Sequence, residues 1–440
     1  MLAGAAPLVT AAPRKPNIIV IVADDLGWAD LGIQGCKDIP TPNIDSLAKN
    51  GARFTNGYVS CPVCSPTRAG LMTGRYQQRF GHELNPGPAA EASPEFGLPL
   101  DQTTLANRLK TRGYATGMVG KWHLGYRPEY HPMRRGFDEF FGFLGGAHRY
   151  DDALADQANP ILKGTKPVDE KEYLTDAFAR EALAFVDRRR NNPFFLYWTF
   201  NAVHAPMFNP EKYSKRFTDT IANPLRRTFA GMLTAMDEAV GRMLSKLREY
   251  KLENDTLLFF ISDNGGPTPG NTSSNAPLRG TKATVWEGGI RVPYIVQWRG
   301  TIKPNTVIDH PVISLDIHPT AVAASGGETS AAGLDGVDLL PLLTGKSKVA
   351  PHPVLYWRFG AQRAIRKGPW KLLKQANEEW QLYQLQSDIS EQHNLASSMS
   401  EKREELEADY EAWDKQLQAP RWQAQRARAG AGKKKKKKQE

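Results

Sequence analysis

The sequence predicts an α/β fold: a large mixed, mostly parallel sheet between helical layers, followed by a small C-terminal α+β domain with an antiparallel sheet and a helix. Two observations carry this prediction. Short apolar runs bounded by turn residues recur along the N-terminal part of the chain, and the segments between them place apolar residues at helical spacing. Runs that are apolar on both faces suit strands buried between helices. These runs are Asn17–Ala23, Ala115–Val119, Phe194–Phe200, Thr256–Ile261 and Val292–Trp298.

The helices are predicted from apolar periodicity and from start and stop residues. Prolines precede the first segment, and Gly113 follows the second as a C-cap residue. The predicted helices are Asn43–Lys49, Leu105–Arg112, Thr175–Arg189 and Phe229–Tyr250.

The pattern changes after Gly345. Residues 354–386 hold short aromatic-rich runs broken by glycine and charge, which predict an antiparallel meander, and residues 399–418 fit one helix. We therefore divide the chain into an N-terminal segment (1–16), a large α/β domain (17–345), a small α+β domain (346–421) and a basic, disordered tail (422–440).

The formal charge of +10 is concentrated at the C-terminus. Residues 421–440 contain nine basic residues, six of them in Lys433–Lys438, against the single acid Glu440, so this segment carries +8 and the rest of the chain +2. A nearly neutral body argues against a nucleic-acid partner. A protein that binds polyanions through the lysine run is a remote alternative.

The N-terminal residues 1–13 are mostly small and apolar, but they include no basic n-region of the kind that begins a secretory signal. This segment is similar to the end of a secretory signal with an alanine-rich cleavage site, or it is an irregular terminus. The first interpretation predicts a periplasmic or secreted protein. No apolar run is long enough for a membrane span, and three cysteines cannot form a disulfide framework in 440 residues.

Polar residues follow four of the apolar runs directly. The first run ends in Asp24-Asp25, and the others lead into Gly120–His123, Asn201–Pro206 and Ser262–Gly266. Open α/β sheets bind ligands beyond the carboxyl ends of their strands. The sequence therefore predicts that acids, amides, histidines and a lysine meet at one edge of the sheet.

Four of these residues form an acid-rich set of oxygen ligands: Asp24, Asp25, Asp263 and Asn264. Such a set favours Ca²⁺ or Mg²⁺ over Zn²⁺, which prefers nitrogen and sulfur. With oxygens available, we assign Lys121, His123 and His204 to substrate binding and proton transfer.

The segment from Ser60 to Arg75 contains Cys61 and Cys64 in a Cys-x-x-Cys pair, but no second pair exists for a four-thiolate zinc site. Only Cys64 has proline two residues on and arginine, Arg68, four residues on, and Thr-Gly-Arg follows downstream. This pattern resembles the signature of the sulfatase family in the alkaline phosphatase superfamily. Pro66 also fits a first helical turn, so Cys64 is predicted to open a helix.

Further segments are similar to blocks of the same family, in the same order, from about Asn17 to about Leu417. They are Asp24-Asp25, Thr41–Ala48, Gly120–Gly125, His204–Pro206, Ser262–Gly265, Leu278–Lys282, Leu382–Leu385 and Asn394–Ala396. The basic tail lies outside the family pattern.

The resemblance implies an alkaline-phosphatase-like fold, with residues 17–345 as the sulfatase catalytic domain. It implies that a separate maturation enzyme oxidises Cys64 to formylglycine, and that Ca²⁺ is held by Asp24, Asp25, Asp263, Asn264 and the modified Cys64. It further implies the catalytic roles of five residues: Arg68 orients the hydrated aldehyde, Lys121 and Lys282 neutralise sulfate oxygens, His123 assists at position 64 and His204 protonates the leaving alcohol.

The implied activity is hydrolysis of sulfate monoesters, with a sulfated polysaccharide or oligosaccharide as the favoured substrate. Candidate specificity residues are His82, Glu83, Asn85, His148, Arg149, Trp357 and Arg358. Arginine and tryptophan beside polar groups suit an anionic sugar. Two alternatives stay open: an arylsulfatase for small aryl sulfates, and a phosphate or phosphonate monoester hydrolase of the same superfamily.

Overall fold

A computed structural model describes residues 15–154, 156–329 and 333–423. Its strands are β1 (Asn17–Ala23), β2 (Ala52–Phe54), β3 (Gly57–Tyr58), β4 (Ala115–Lys121), β5 (Glu139–Phe143), β6 (Leu162–Lys163), β7 (Lys166–Pro167), β8 (Phe194–Thr199), β9 (Thr256–Ser262), β10 (Tyr294–Gln297), β11 (Thr306–Ile308), β12 (Val312–Ile313), β13 (Val354–Phe359), β14 (Gln362–Lys367), β15 (Trp370–Lys374) and β16 (Gln381–Gln384). Its α-helices are α1 (Pro42–Lys49), α2 (Cys64–Thr73), α3 (Leu105–Thr111), α4 (Leu174–Arg189), α5 (Glu211–Ser214), α6 (Pro224–Glu249), α7 (Glu287–Ile290), α8 (Ile317–Ala324), α9 (Leu340–Leu343) and α10 (Ser400–Asp414).

The large domain is built on a ten-stranded sheet with the order β11-β2-β10-β9-β1-β8-β4-β5-β6-β7. The five strands β9, β1, β8, β4 and β5 are parallel neighbours. Strand β10 runs antiparallel to both β9 and β2. The mixed, mostly parallel sheet predicted from the sequence is confirmed.

Helices cover both faces of this sheet, as the side chains of β1 show. Ile19 and Ile21 pack into one apolar cluster with residues of α1, α4 and α6. Ile18, Val20 and Val22 point to the other face and pack with residues of α2, α3 and α8. Because successive strand residues point to opposite faces, a run that is apolar at every position buries both.

The five predicted strands and the four predicted helices of the large domain all form, with ends that differ by a few residues. The largest difference is in α6, which begins at Pro224 because the Asn223 side chain accepts hydrogen bonds from the N–H groups of Leu225 and Arg226. Five further strands of this sheet, β2, β5, β6, β7 and β11, were not predicted from the sequence, and they lie toward its edges.

The small domain is the predicted meander, a four-stranded antiparallel sheet with the order β13-β14-β15-β16, together with α10. Its apolar residues share a cluster with Tyr58, Val285 and Trp286 of the large domain. A buried ion cluster crosses the same boundary: Lys371 Nζ of β15 lies 2.9 Å from Glu287 of the large domain and 2.8 Å from Glu391 of the small domain. The two domains are therefore joined by both apolar and charged contacts.

The chain continues to pack beyond the boundary predicted at residue 422. The Trp422 indole is buried and donates hydrogen bonds to the carbonyls of Leu84 and Asn85, at 3.1 and 3.0 Å. The start of the basic tail therefore moves past Trp422. The signal-like residues 1–13 and the lysine run both lie outside the described residues. Within the described part of the chain, no helix is both long enough and apolar enough to cross a membrane.

Replacing Lys371 tests the charged contact between the domains. Lys371→Met would leave Glu287 and Glu391 buried without their shared cation, and we expect it to lower the free energy of unfolding by about 3–5 kcal/mol. Chemical denaturation at pH 8 measures this loss, because Glu391, whose pKa burial raises to about 7, is then mostly ionised. The exposed Lys415→Met is the control and should change little. Equal stability of the two variants would contradict the role given to the cluster.

Candidate active site

Four parallel strands deliver polar side chains to one edge of the sheet. Asp24 follows β1, Asp263 follows β9, Lys121 ends β4 and His204 follows β8. These strands are neighbours in the order β9-β1-β8-β4, so their carboxyl ends lie side by side. The sheet thus brings together residues from distant parts of the sequence.

Cys64 lies at the start of α2, which confirms the predicted helix start. Its Sγ is 3.7 Å from Asp24 Oδ1, and the side chain is buried. Arg68, one turn later, donates from Nε and Nη2 to Asp263 Oδ2, at 3.0 and 2.7 Å, and from Nη1 to the carbonyl of Lys121, at 2.8 Å. This arginine fixes the helix start relative to β9 and β4.

Each carboxylate of the site has a cationic partner. Lys121 Nζ lies 2.6 Å from Asp24 Oδ2, and Lys282 Nζ lies 2.6 Å from Asp25 Oδ1. With Arg68 on Asp263, three cations face three buried carboxylates. Lys121 is completely buried, whereas the Lys282 side chain remains 17% exposed, so Lys282 is the lysine that solvent reaches.

Burial and charge set the protonation of these groups. Burial would raise the pKa of Asp24, but Lys121, His204 and Arg68 hold it well below its ordinary value, so this carboxylate is ionised. Burial, and then the charge of Asp24, raises the pKa of Asp263 despite Arg68. Burial raises the pKa of the Cys64 thiol to about 12, although the charges of Lys121 and Lys282 lower it. An unmodified Cys64 is therefore a neutral thiol at neutral pH.

The donor set fits a hard divalent cation. Ligand atoms of Asp24, Asp25, Cys64 and His204 all lie within 4.8 Å of one another. Asn264 adjoins them: its Nδ2 donates to Asp25 Oδ1 at 2.7 Å, while its buried Oδ1 has no hydrogen-bond partner in the described part of the chain. Rotating this amide would turn an oxygen toward Asp25, completing the oxygen-rich set that Ca²⁺ prefers.

His123 is held beside Cys64 by an unusual backbone and by a hydrogen-bond chain. Its φ of 58° is in the left-handed region, and burial, followed by the charge of Lys121, lowers its pKa well below the ordinary value. Ser65 Oγ donates to the carbonyl of His123 at 2.6 Å and lies 2.7 Å from His82 Nε2. Gly146 packs on the ring, where a Cβ would lie 2.7 Å from Cε1 and Nε2. The site therefore positions a neutral imidazole.

A cavity of about 300 Å³ opens above these groups, and Cys64, His123 and His204 line its floor. Its walls carry the polar residues Asn85, Tyr126, Asp156 and Asn159 beside prolines and small residues. Of the specificity candidates, Asn85 reaches this cavity and also accepts the Ser65 N–H at 3.0 Å. Sequence reasoning missed Tyr126, Asp156 and Asn159, since polar residues in irregular segments give no periodic signal.

The other specificity candidates do not line this cavity among the described residues. Trp357 is fully buried in the small-domain core and donates to the carbonyl of Val59 at 2.7 Å. Arg358 and Glu83 form a buried ion pair at 2.8 Å that joins the two domains. The sequence shows the types of these residues but not the directions of their side chains. The Trp357 ring packs in the core, and the Arg358 guanidinium pairs with Glu83.

Three further candidates also serve internal contacts. His82 is buried against Ser65 and the Trp422 ring, whose centroid lies 4.8 Å away. His148 is buried, and its Nδ1 lies 2.7 Å from the carbonyl of Arg149. Arg149 is exposed and pairs with Asp151 at 3.1 Å. None of the three lines the cavity among the described residues.

A buried acid–cation cluster beneath a pocket, at the start of a helix that carries a potential nucleophile, is typical of hydrolases that cleave esters of tetrahedral oxyanions. Comparison with known proteins defines the class further. The sulfatase family model matches residues 16–327, and the model of the C-terminal region of N-sulphoglucosamine sulphohydrolase matches residues 281–418. The chain belongs to the sulfatase family and is a sulfuric ester hydrolase.

Individual relatives agree with this assignment. The chain is 36% identical to N-acetylgalactosamine-6-sulfatase of Sus scrofa over 385 residues, covering 82% of this chain and 72% of the relative. It is 37% identical to human arylsulfatase A over 388 residues, covering 81% and 73%. Among solved structures, Ps i-CgsB in complex with k-i-k-neocarrahexaose has a TM-score of 0.87 at 38% identity, covering 93% of this chain and 95% of that one.

Calcium binding should be visible as a change in stability. For the EDTA-treated protein, Ca²⁺ at about 100 times its Kd should raise the free energy of unfolding by about 2.7 kcal/mol, because the ion binds the site in the folded protein and not the unfolded chain. Thermal melting with and without Ca²⁺ measures this gain. Asp25→Asn should reduce it, whereas the exposed Asp219→Asn should keep it. An unchanged melting temperature of the wild-type protein would contradict the metal assignment.

Proposed function

We propose that this sulfatase hydrolyses sulfate monoesters of carbohydrates in the cavity above Cys64, with Cys64 converted to formylglycine and with a bound Ca²⁺. The observation that carries the proposal is the position of Cys64. It lies at the start of α2, 3.7 Å from Asp24, at the floor of the cavity, and amid the paired charges of Arg68 and Lys282.

The conversion of Cys64 requires a separate maturation enzyme as a partner. Formylglycine supplies, as its hydrate, an oxygen nucleophile and a route for releasing sulfate by restoring the aldehyde. The support for this proposal is the residue pattern around Cys64 in a chain that belongs to the sulfatase family.

Asp24, Asp25, Asp263 and Asn264 would hold Ca²⁺ together with the modified residue 64. When bound, the ion supplies Lewis-acid polarisation of the sulfate oxygens. The protein's own cations divide the remaining work. Arg68, which is tied to Asp263, orients residue 64, and Lys282, the partly exposed lysine, is placed to neutralise charge that builds on sulfate. Lys121 is buried and neutralises the charge of Asp24, to which it is paired.

The histidines carry out the proton work in this proposal. His204 lines the cavity with a side chain that is 21% exposed, and its Nε2 lies 3.6 Å from Asp25 Oδ2, so it is placed to give a proton to the departing alcohol. His123 lies at the cavity floor beside position 64, where a neutral imidazole accepts a proton.

The walls of the cavity favour a sugar whose ring carries no further negative charge. Among the described residues that form these walls, the charged side chain is that of Asp156, and the other polar groups are amides and the Tyr126 hydroxyl. A carboxylate on the wall repels uronic acids and additional sulfates, and it accepts hydrogen bonds from hydroxyls. This replaces the anionic sugar suggested by Arg358 and Trp357, which lie away from the cavity.

The named relatives support a carbohydrate substrate. One is an N-acetylgalactosamine-6-sulfatase, and the similar structure Ps i-CgsB holds k-i-k-neocarrahexaose. The likeness to arylsulfatase A keeps small aryl sulfates as the second candidate. A periplasmic or secreted location is part of the proposal and rests on the signal-like composition of residues 1–13.

A substrate comparison tests this proposal. The mature protein should release sulfate from a monosulfated neutral hexose, and it should do so with at least about tenfold higher kcat/KM than from the same sugar with a second sulfate. Two like charges about 4 Å apart repel by about 1–4 kcal/mol, and about 1.4 kcal/mol corresponds to tenfold in rate. Sulfate is measured by ion chromatography, with Cys64→Ala as the inactive control. A preference for the phosphate ester of the same alcohol would contradict the sulfatase assignment, and a preference for the doubly sulfated or aryl substrate would contradict the proposed sugar.

A further inference from the structure

The turn that carries Lys282 lies on the large domain and is held by contacts from both domains. We define the Lys282 turn as residues 279–285. Within it, Thr284 Oγ1 donates to the carbonyl of Thr281 at 2.7 Å. The large domain contacts the turn through the N–H of Lys282, which donates to the carbonyl of Gly266 at 3.2 Å, and the N–H of Ala283, which donates to the carbonyl of Pro62 at 2.9 Å. Ala283 has a φ of 67°, a left-handed conformation that disfavours a residue with a side chain. External contacts are therefore needed to keep this backbone in place.

Gln362 supplies two such contacts. Its Nε2 donates to the carbonyl of Ala283 at 2.8 Å, and its Oε1 accepts the N–H of Val285 at 3.1 Å. The amide thus bridges the turn on the C-terminal side of Lys282. Gln362 is the first residue of β14 and pairs with Phe359 at the β13–β14 hairpin, so the rigid meander fixes its position.

Glu391 holds the other side of the turn and the helix start beyond it. Arg279 Nη1 donates to the carbonyl of Glu391 at 2.8 Å, and the Glu391 carboxylate accepts the N–H of Glu287 at 2.8 Å. The Arg279 guanidinium also lies 3.8 Å from the centre of the Trp286 ring. The small domain therefore contacts the Lys282 turn at both ends.

We propose that Gln362 is a positioning residue for Lys282: its amide holds the strained backbone at Ala283 and Val285 so that the Lys282 ammonium stays 2.6 Å from Asp25. This rests on the proposed function, in which Lys282 neutralises charge on sulfate. It gives the small domain a part in catalysis although none of its described residues lines the cavity.

Two substitutions separate the two hydrogen bonds. Gln362→Ala removes both, and Gln362→Glu keeps an acceptor for Val285 but sets a carboxylate oxygen against the Ala283 carbonyl. We expect Gln362→Ala to lower kcat by about tenfold, the size of a lost hydrogen bond, with KM changed by less than about twofold, because Lys282 acts on charge that develops in the transition state. Gln362→Glu should lower kcat at least as much. The exposed Gln386→Ala, on the same domain, should match the wild type.

A double-mutant cycle decides whether Gln362 acts through Lys282. In a Lys282→Ala protein, adding Gln362→Ala should cause less than about a twofold further loss of kcat, since the lysine to be positioned is absent. If turnover of Lys282→Ala is too slow to measure, Lys282→Arg serves as the background, and the two effects should again be less than multiplicative. Melting temperatures within a few degrees of the wild type confirm folding.

Each other outcome has a defined meaning. If Lys282→Ala and Gln362→Ala each lower kcat and their effects multiply, Gln362 does not act through Lys282 and the inference is wrong. If Gln362→Ala changes only the melting temperature, the residue is merely structural and the inference is again wrong. If Lys282→Ala retains the wild-type kcat, it is the proposed role of Lys282 that fails, which distinguishes the two claims.

Discussion

Three carboxylates, Asp24, Asp25 and Asp263, are buried where the central parallel strands end, and burying charge is tolerable only where partners neutralise it. The partners come from separate elements. Lys121 ends β4, Arg68 lies in the first turns of α2, and Lys282 lies in the turn before α7. Each ion pair therefore fixes one element against the strand ends. The same pairs lie around Cys64, so the cations that neutralise the buried carboxylates also lie near the position where an oxyanion would bind.

The small domain contributes to this arrangement from outside. Its Lys371 joins two buried acids across the domain boundary, and Gln362 and Glu391 contact the Lys282 turn. Trp422, near the end of the described chain, makes a second set of contacts close to the cavity. Trp422 packs on His82 and hydrogen-bonds to the segment that contains Asn85, which lines the cavity. The pocket therefore depends on residues remote in sequence from Cys64.

The sequence was sufficient for the features that repeat or that follow strands. Runs apolar at every position predicted the central strands, and the residues directly after them predicted the site, because neighbouring parallel strands bring their carboxyl ends together. It was insufficient for side-chain direction. Tryptophan and arginine are residue types suited to sugars, yet Trp357 packs in the core and Arg358 pairs with Glu83. Asp156 and Asn159 lie in irregular chain, where no period marks them. The bridge from Gln362 to Ala283 depends on tertiary contact alone.

We propose that the working enzyme has formylglycine at position 64, and mass spectrometry of a tryptic digest can detect this residue. The peptide from Phe54 to Arg68 contains Cys61 and Cys64. In active protein made with the maturation enzyme, we expect a peptide that has lost one thiol sulfur, carries an aldehyde at residue 64 and alkylates at Cys61 alone. The fraction so modified should rise in proportion to sulfate release. Full activity in protein whose Cys61 and Cys64 both alkylate would show that formylglycine is not required.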